Sequence, residues 1–459
     1  MESPTPAKTN LPYLFFLGGT AALGGLLFGF DAAIITGAGP FLERHFQLSP
    51  LKLGWAFSCL LYGCVAGSAI TGWIADKWGR RIPLLWVAVL FTLTSLATGT
   101  AQTFTIFVIV RTLGGLAVGG VSVLAPMYVS EVSPPAVRGR MGTLYQLSIV
   151  MGVLVSYCIN YYLRDLGDWN WRWMFISGVI PSLAFFLLVL RAPETPRYLI
   201  KAGRPAEALE ILTRIGGAES AALSSAEITA SLTGRRTPWA ELNRPGIRRA
   251  LAVSFVLAIL VQASGVNAIV DYAPRIFQSA GWKIDAALLS TFVMGIASFL
   301  FTLGAFPIID RFGRKPCYIV GSLGMTAALA GLAAVAHTGQ FTGPRVLVLI
   351  LVFLVFFTPC IGPVFWTLMP EIFPNRVRGE AMTVPVLTQW LANALVVNLF
   401  PFAVAKMGNA ATFGFLAAMA LTQALFTWRF LPETKGKTLE EIEGFWEGRL
   451  KPKNLKPET

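Results

Sequence analysis

Long apolar stretches, separated by short connections that carry most of the charge, run along the chain from residue 12 to residue 430. Each is long enough to cross a hydrocarbon core of about 30 Å as an α-helix. The pattern predicts twelve spans, near 12–38, 55–74, 82–100, 105–128, 141–162, 173–190, 250–276, 286–308, 316–336, 345–368, 382–404 and 411–430. Several contain Gly and Pro, which membrane helices accept when neighbours satisfy the freed backbone groups. A polar stretch divides the spans six and six. Within it RPAEALEILTRI has helical spacing, with Pro205 near the start and Ala208, Leu209, Leu212 and Ile215 on one face. The expected layout is a six-helix half over 1–190, a small cytoplasmic helical insert over 191–249 that braces rather than reacts, a second six-helix half over 250–430 and a cytoplasmic tail over 431–459.

Composition supports a membrane class. The 459 residues are 55% hydrophobic and 13% charged, and the mean hydropathy is +0.63, which suits an all-α membrane protein better than a soluble multidomain chain. Of 37 Lys and Arg, eight lie in connections after odd-numbered spans and Arg111 lies inside a span, leaving 28 for the termini and the other connections. Loops rich in Lys and Arg stay in the cytoplasm, so both termini are expected there, in a multi-pass protein of the plasma or inner membrane. The net charge of +13 then lies beside anionic headgroups and calls for no nucleic acid. The first apolar stretch is too long for a signal-peptide core and contains Asp31, so it is expected to remain as a helix.

Other chemistries find little support. Five scattered cysteines (Cys59, Cys64, Cys158, Cys317, Cys360) suggest neither a disulfide framework nor a metal cluster, and the two histidines, His45 and His337, are far apart in sequence. No P-loop motif is present, so ATP-driven pumping is not expected. No cofactor, metal site or enzymatic constellation is expected.

The two halves repeat each other. SEVSPPAVRGR from Ser130 matches PEIFPNRVRGE from Pro370, pairing Glu131 with Glu371 and Arg138 with Arg378 at an offset of 240. Asp31 and Asp271 keep the same offset. GWIADKWGRR and PIIDRFGRK pair Asp76 with Asp310 and Arg80 with Arg314 at an offset of 234. Internal duplication of six spans is a common transporter plan, in which halves rock about a midplane site. The charged loops read as a cytoplasmic latch, since acids and bases at neighbouring helix ends can pair and interact with helix dipoles. Headgroup anchoring by the Arg and Lys side chains is the alternative for any single loop.

With these motifs the sequence resembles the sugar porter family of the major facilitator superfamily, over essentially its whole length. PETPRYL (Pro193 to Leu199) and PETKGKTLEEIE (Pro432 to Glu443) carry the resemblance most specifically, with YVSEVSPPAVRGR and PEIFPNRVRG beside them. The resemblance implies the major facilitator fold, a chain that functions as a monomer in the lipid bilayer, and a monosaccharide or polyol substrate moved by proton symport or facilitated diffusion.

A polyhydroxy ligand needs amides, which both donate and accept, and aromatic planes. The spans offer Gln146, Gln262, Asn267, Trp366, Gln389, Trp390 and Asn393. By resemblance these match sugar-contacting positions, and Phe28 in LLFGFD matches an aromatic lining position. Val261 stands where many members have a first of two glutamines, Asp271 precedes Tyr272 where many have a Tyr pair, and Gly178 stands where some xylose symporters have an acid.

Asp31 and Arg111 lie at matching depth, each about six or seven residues from the outer end of its span, or roughly 10 Å below the surface at about 1.5 Å per residue. They can therefore meet. Pairing offsets the cost of both charges, and separating them favours proton uptake by the acid. Resemblance agrees, because an acid in FGFD with an Arg opening RTLGGLAVGG looks like the proton-coupling pair of bacterial sugar symporters. A static pair that only fixes helix packing is the alternative. The expectation is proton-coupled uptake of a monosaccharide, a hexose such as glucose. A facilitator and a pentose, polyol or inositol symporter are the alternatives.

Overall fold

The computed structural model describes residues 10–232, 239–374, 377–437 and 439–446, side chains excepted at a few helical positions that include Arg138 and Asp310. Every regular element among them is helical. The first half contains α1 (Leu11–Phe46), α2 (Pro50–Trp78), α3 (Arg81–Gly99), α4 (Phe104–Val132), α5 (Pro135–Leu163), α6 (Asn170–Ile176) and α7 (Val179–Arg191). Then come α8 (Pro196–Lys201), α9 (Pro205–Gly216) and α10 (Ala218–Leu232) of the insert. The second half holds α11 (Pro245–Ala263), α12 (Val266–Asp271), α13 (Ala273–Ser279), α14 (Ile284–Phe312), α15 (Arg314–His337), α16 (Gly343–Cys360), α17 (Gly362–Ile372) and α18 (Arg378–Phe430), followed by α19 (Leu439–Trp446).

Among the described residues, eleven helical segments are long and apolar enough to cross a membrane. The last, α18, runs 53 residues and is two helices joined at Gly408, whose φ of 77° only glycine adopts readily. At about 1.5 Å per residue it is long enough for two crossings, which makes twelve. Start signals are local: Thr103 accepts a hydrogen bond from the Ile106 N–H at the head of α4, and prolines occupy the first turns of α5, α8, α9, α11, α16 and α17. Trp73, Trp86 and Trp428 are 67, 64 and 66% exposed, as side chains turned toward lipid would be.

Two differences from the sequence reading matter for function. First, α1 continues to Phe46, well past residue 38, because hydropathy marks the hydrocarbon slab while the helix persists beyond it through Pro40 and Arg44. Asp31 is therefore near the middle of α1 rather than close to its end. Second, three spans are discontinuous. The sixth divides at Ser177–Gly178, the seventh at Ser264–Gly265 and again at Tyr272, and the tenth at Ile361. In the insert, Ala208 and Ile215 of α9 are buried but Leu209 is 42% exposed, so the buried stripe is narrower than the spacing suggested.

The chain divides into two compact units, one of Met1–Ile34, Gly63–Ile159 and Leu163–Arg236, the other of Ile35–Tyr62, Asn160–Tyr162 and Thr237–Thr459. In the first, α3 packs on α4, α6 and α7. Small residues bring backbones together: a Cβ on Gly29 would meet the Ile149 carbonyl, and one on Gly152 the Leu26 carbonyl, so α1 and α5 cross at van der Waals contact. In the second unit, α15 packs on α16 and α18, and α11 on α18. This unit also holds the end of α1 and the beginning of α2, where Phe57 stacks on Tyr272 at 4.2 Å and Asn398 Nδ2 donates to Ser58 Oγ at 2.8 Å.

Candidate functional site

In the first unit Arg111 Nη1 donates to Asp31 Oδ1 at 2.7 Å, and Nη2 donates to the Asp31 carbonyl at 3.0 Å. Arg111 is 2% and Asp31 7% exposed, so this is a buried ion pair whose partners depend on each other. The Phe175 ring centre lies 5.0 Å from the guanidinium carbon, a cation–π contact, and Phe175 packs edge-on against Phe107. Asp31 Oδ2 has no hydrogen-bond partner among the described residues. One oxygen is committed to Arg111 and the other is not. A side chain at 178 would meet Ser95 Oγ at 2.9 Å and Phe30 at 3.2 Å, so the site as packed has no room for a second acid there.

Of the candidate sugar contacts, Phe28 on α1 and Gln146 on α5 belong to the first unit and are half-buried. The other six belong to the second unit. Gln262 and Asn267 straddle the break in the seventh span. Gly265 turns the chain there with φ 80°, and Asn267 Nδ2 donates to Gln262 Oε1 at 2.8 Å. On α18, Gln389 and Asn393 are one turn apart, and Gln389 Oε1 and Asn393 Oδ1 are buried without a hydrogen-bond partner among the described residues. Buried amides left open in this way are ready to bond a hydroxyl. Trp390 is half-buried beside them, while Trp366 on α17 is 43% exposed.

The charged loops form two similar networks, each inside one unit. Arg80 Nη2 pairs with Glu131 Oε1 at 2.7 Å, and Arg314 is bidentate on Glu371 at 2.9 and 3.2 Å. Asp76 pairs with Lys201 at 2.9 Å, and Arg378 donates to the Phe373 carbonyl at 3.3 Å. The side chains of Arg138 and Asp310 lie outside the described residues.

Sequence reasoning did not single out Glu194 and Glu433. Glu194 accepts the backbone N–H groups of Arg80 (2.9 Å) and Arg81 (3.1 Å) at the head of α3. Glu433 accepts those of Arg314 and Lys315, both at 3.0 Å, at the head of α15. Each carboxylate occupies the space that a Cβ would take on Gly79 (φ 84°) or Gly313 (φ 89°). The signal was in the repeated Pro-Glu-Thr, whose glutamates stand 239 residues apart. Because charge-assisted bonds to a helix N-terminus contribute about 1–2 kcal/mol, Glu433→Gln is expected to lower stability by that amount. A thermal melt in detergent would check this, and an unchanged midpoint would count against the clamp.

Twelve apolar crossings, a duplicated half and a buried ion pair define a multi-pass membrane transporter. The chain belongs to the sugar porter family of the major facilitator superfamily, matching the family described as "Sugar (and other) transporter" over residues 18–446. It is a transporter and not an enzyme. It is 36% identical to the arabinose-proton symporter of Bacillus subtilis, covering 97% of this chain and 99% of that one. It is 38% identical to the glucose facilitated diffusion protein of Zymomonas mobilis, covering 93% and 96%. Among solved structures it is similar to the inward-open conformation of the xylose transporter XylE from E. coli, with a TM-score of 0.84, 34% identity and coverage of 95% and 100%.

Proposed function

We propose that this transporter is a proton-coupled symporter that carries a monosaccharide, a hexose such as glucose, into the cell by alternating access. The buried Asp31–Arg111 pair carries the reading: it is a titratable group whose partner holds it in one conformation and releases it in another. Asp31 takes the proton, Arg111 restores the pair once the proton has gone, and Phe175 keeps the guanidinium in place. The proton-symporting arabinose relative supports the coupling. The glucose facilitated diffusion relative favours the rival, passive uniport.

On this reading, Gln262, Asn267, Gln389 and Asn393 bond sugar hydroxyls, Phe28, Trp366 and Trp390 offer ring planes, and Gln146 completes the set. Asp76, Arg80, Glu131 and Arg138, with Asp310, Arg314, Glu371 and Arg378, form the cytoplasmic latch. Residues 191–249 act as a brace, both termini face the cytoplasm, and the monomer is the working unit. Replacing Gln262 by Ala removes an amide that is 3% exposed and strands Asn267 Nδ2. Sugar affinity is expected to fall about tenfold or more, as measured by binding of the purified protein. Proteoliposomes with an imposed proton gradient and a panel of labelled hexoses, pentoses and polyols test the whole proposal. Accumulation of a hexose above equilibrium is expected, and mere equilibration would favour the uniporter.

A further inference from the structure

The second unit holds a small cavity with an excess of negative charge. Thr36 and Glu43 of α1, Phe57 of α2, Asp271 and Tyr272 at the junction of α12 and α13, and Arg275 of α13 line it. Arg275 Nη1 lies 3.2 Å from Glu43 Oε1, so the guanidinium at the cavity is already matched by one carboxylate. Asp271 adds a second. Its repeat equivalent, Asp31, has Arg111 for a partner, whereas the position equivalent to Arg111 is Leu351.

Among the described residues, the rest of the wall offers no further charge. Leu53 and Pro40 are apolar, the Tyr272 hydroxyl donates to the Val397 carbonyl at 3.0 Å, and the nearby Cys59 thiol on α2 donates to the Ala56 carbonyl at 3.3 Å. Thr36 is 1% exposed, lines the cavity, and its Oγ1 has no hydrogen-bond partner among the described residues. A buried hydroxyl in that condition is an acceptor for a proton held on a neighbouring carboxyl. One proton would bring Glu43, Arg275 and Asp271 to neutrality.

We propose that Asp271 is a second proton-binding site, which takes up one proton as the ends of α1 and α2 pack against α13 and gives it up as they part. No bond other than the carboxyl O–H forms or breaks. The packing that must part is specific: the Phe57–Tyr272 stack, the Glu43–Arg275 pair and, where α2 meets α18, the bond from Asn398 to Ser58. Low pH therefore favours the packed end and high pH the open one. The inference rests on alternating access but not on the role given to Asp31.

The test uses full-length protein carrying Asp31→Asn, so that the first acid is silent, in proteoliposomes with potassium as the only added metal cation. Spin labels on Lys52→Cys and Ser279→Cys, both exposed, report the distance between the start of α2 and the end of α13. The packed-to-open ratio is expected to fall as pH rises, by up to about tenfold per pH unit, the limit for one linked proton. Asp271→Asn should remove the pH response, and Asp271→Ser, which also lacks a titrating group, should do the same. A parent without pH response, an unchanged response after either substitution, or a response to added sodium at fixed pH would overturn the proposal.

Discussion

Asp31→Asn is expected to abolish uphill sugar accumulation while leaving exchange of labelled sugar across the membrane intact. The amide has the shape of the carboxyl and can still accept from Arg111 Nη1, and the Asp31 backbone carbonyl still accepts from Nη2. What is lost is the ability to carry a proton. One proton crossing about 100 mV releases about 2.3 kcal/mol, enough to hold a sugar gradient of about 50-fold if one proton moves with one sugar. In the variant the internal-to-external ratio should fall to about one. Exchange needs only that the loaded carrier reorient, so its rate should stay within a few-fold of the natural protein. A variant that still concentrated sugar would remove Asp31 from the coupling mechanism.

Arg111→Met should produce the largest loss of stability. It leaves the Asp31 carboxylate, 7% exposed, with nothing to balance it. Removing one partner of a buried ion pair costs about 3–5 kcal/mol, which should appear as a marked drop in melting temperature in detergent. Adding Asp31→Asn to the same protein removes the stranded charge and should recover most of that loss. The double-mutant cycle distinguishes an energetic pair from two independent buried ions. Additive effects of the two substitutions would mean that the contact at 2.7 Å does not couple them.

The twelve crossings were legible in the sequence because a long apolar run has one stable form in lipid, a helix that satisfies its own backbone. Where helices end was less legible. The extension of α1 to Phe46 leaves the apolar slab, so hydropathy cannot mark its end. The break at Gly265 could be seen only as a glycine in QASGVN within an otherwise apolar span. Its left-handed φ, and the Leu416 side chain that fills the space a Cβ would take, show only in the folded chain.

For the site, rare residues were more informative than common ones. Asp31 and Arg111 lie at matching depth in spans that carry no other charge, so their pairing could be inferred from depth, even though α1 proved longer than its apolar run. Glu194 and Glu433 sit among other charged residues in loops, where sequence does not distinguish a helix clamp from a solvated acid. Their role became visible only when Gly79 and Gly313 were seen to leave room for them. The narrow buried face of α9 has a similar cause, since Leu209 has the right spacing but no neighbour to cover it.

The central claim is that sugar and proton cross together. The most direct measurement is the pH of a weakly buffered suspension of cells making this protein, recorded as sugar is added without a pre-existing gradient. Proton symport predicts alkalinisation of the medium that begins with sugar entry and is absent from cells making Asp31→Asn. Entry of labelled sugar with no change in external pH would contradict it.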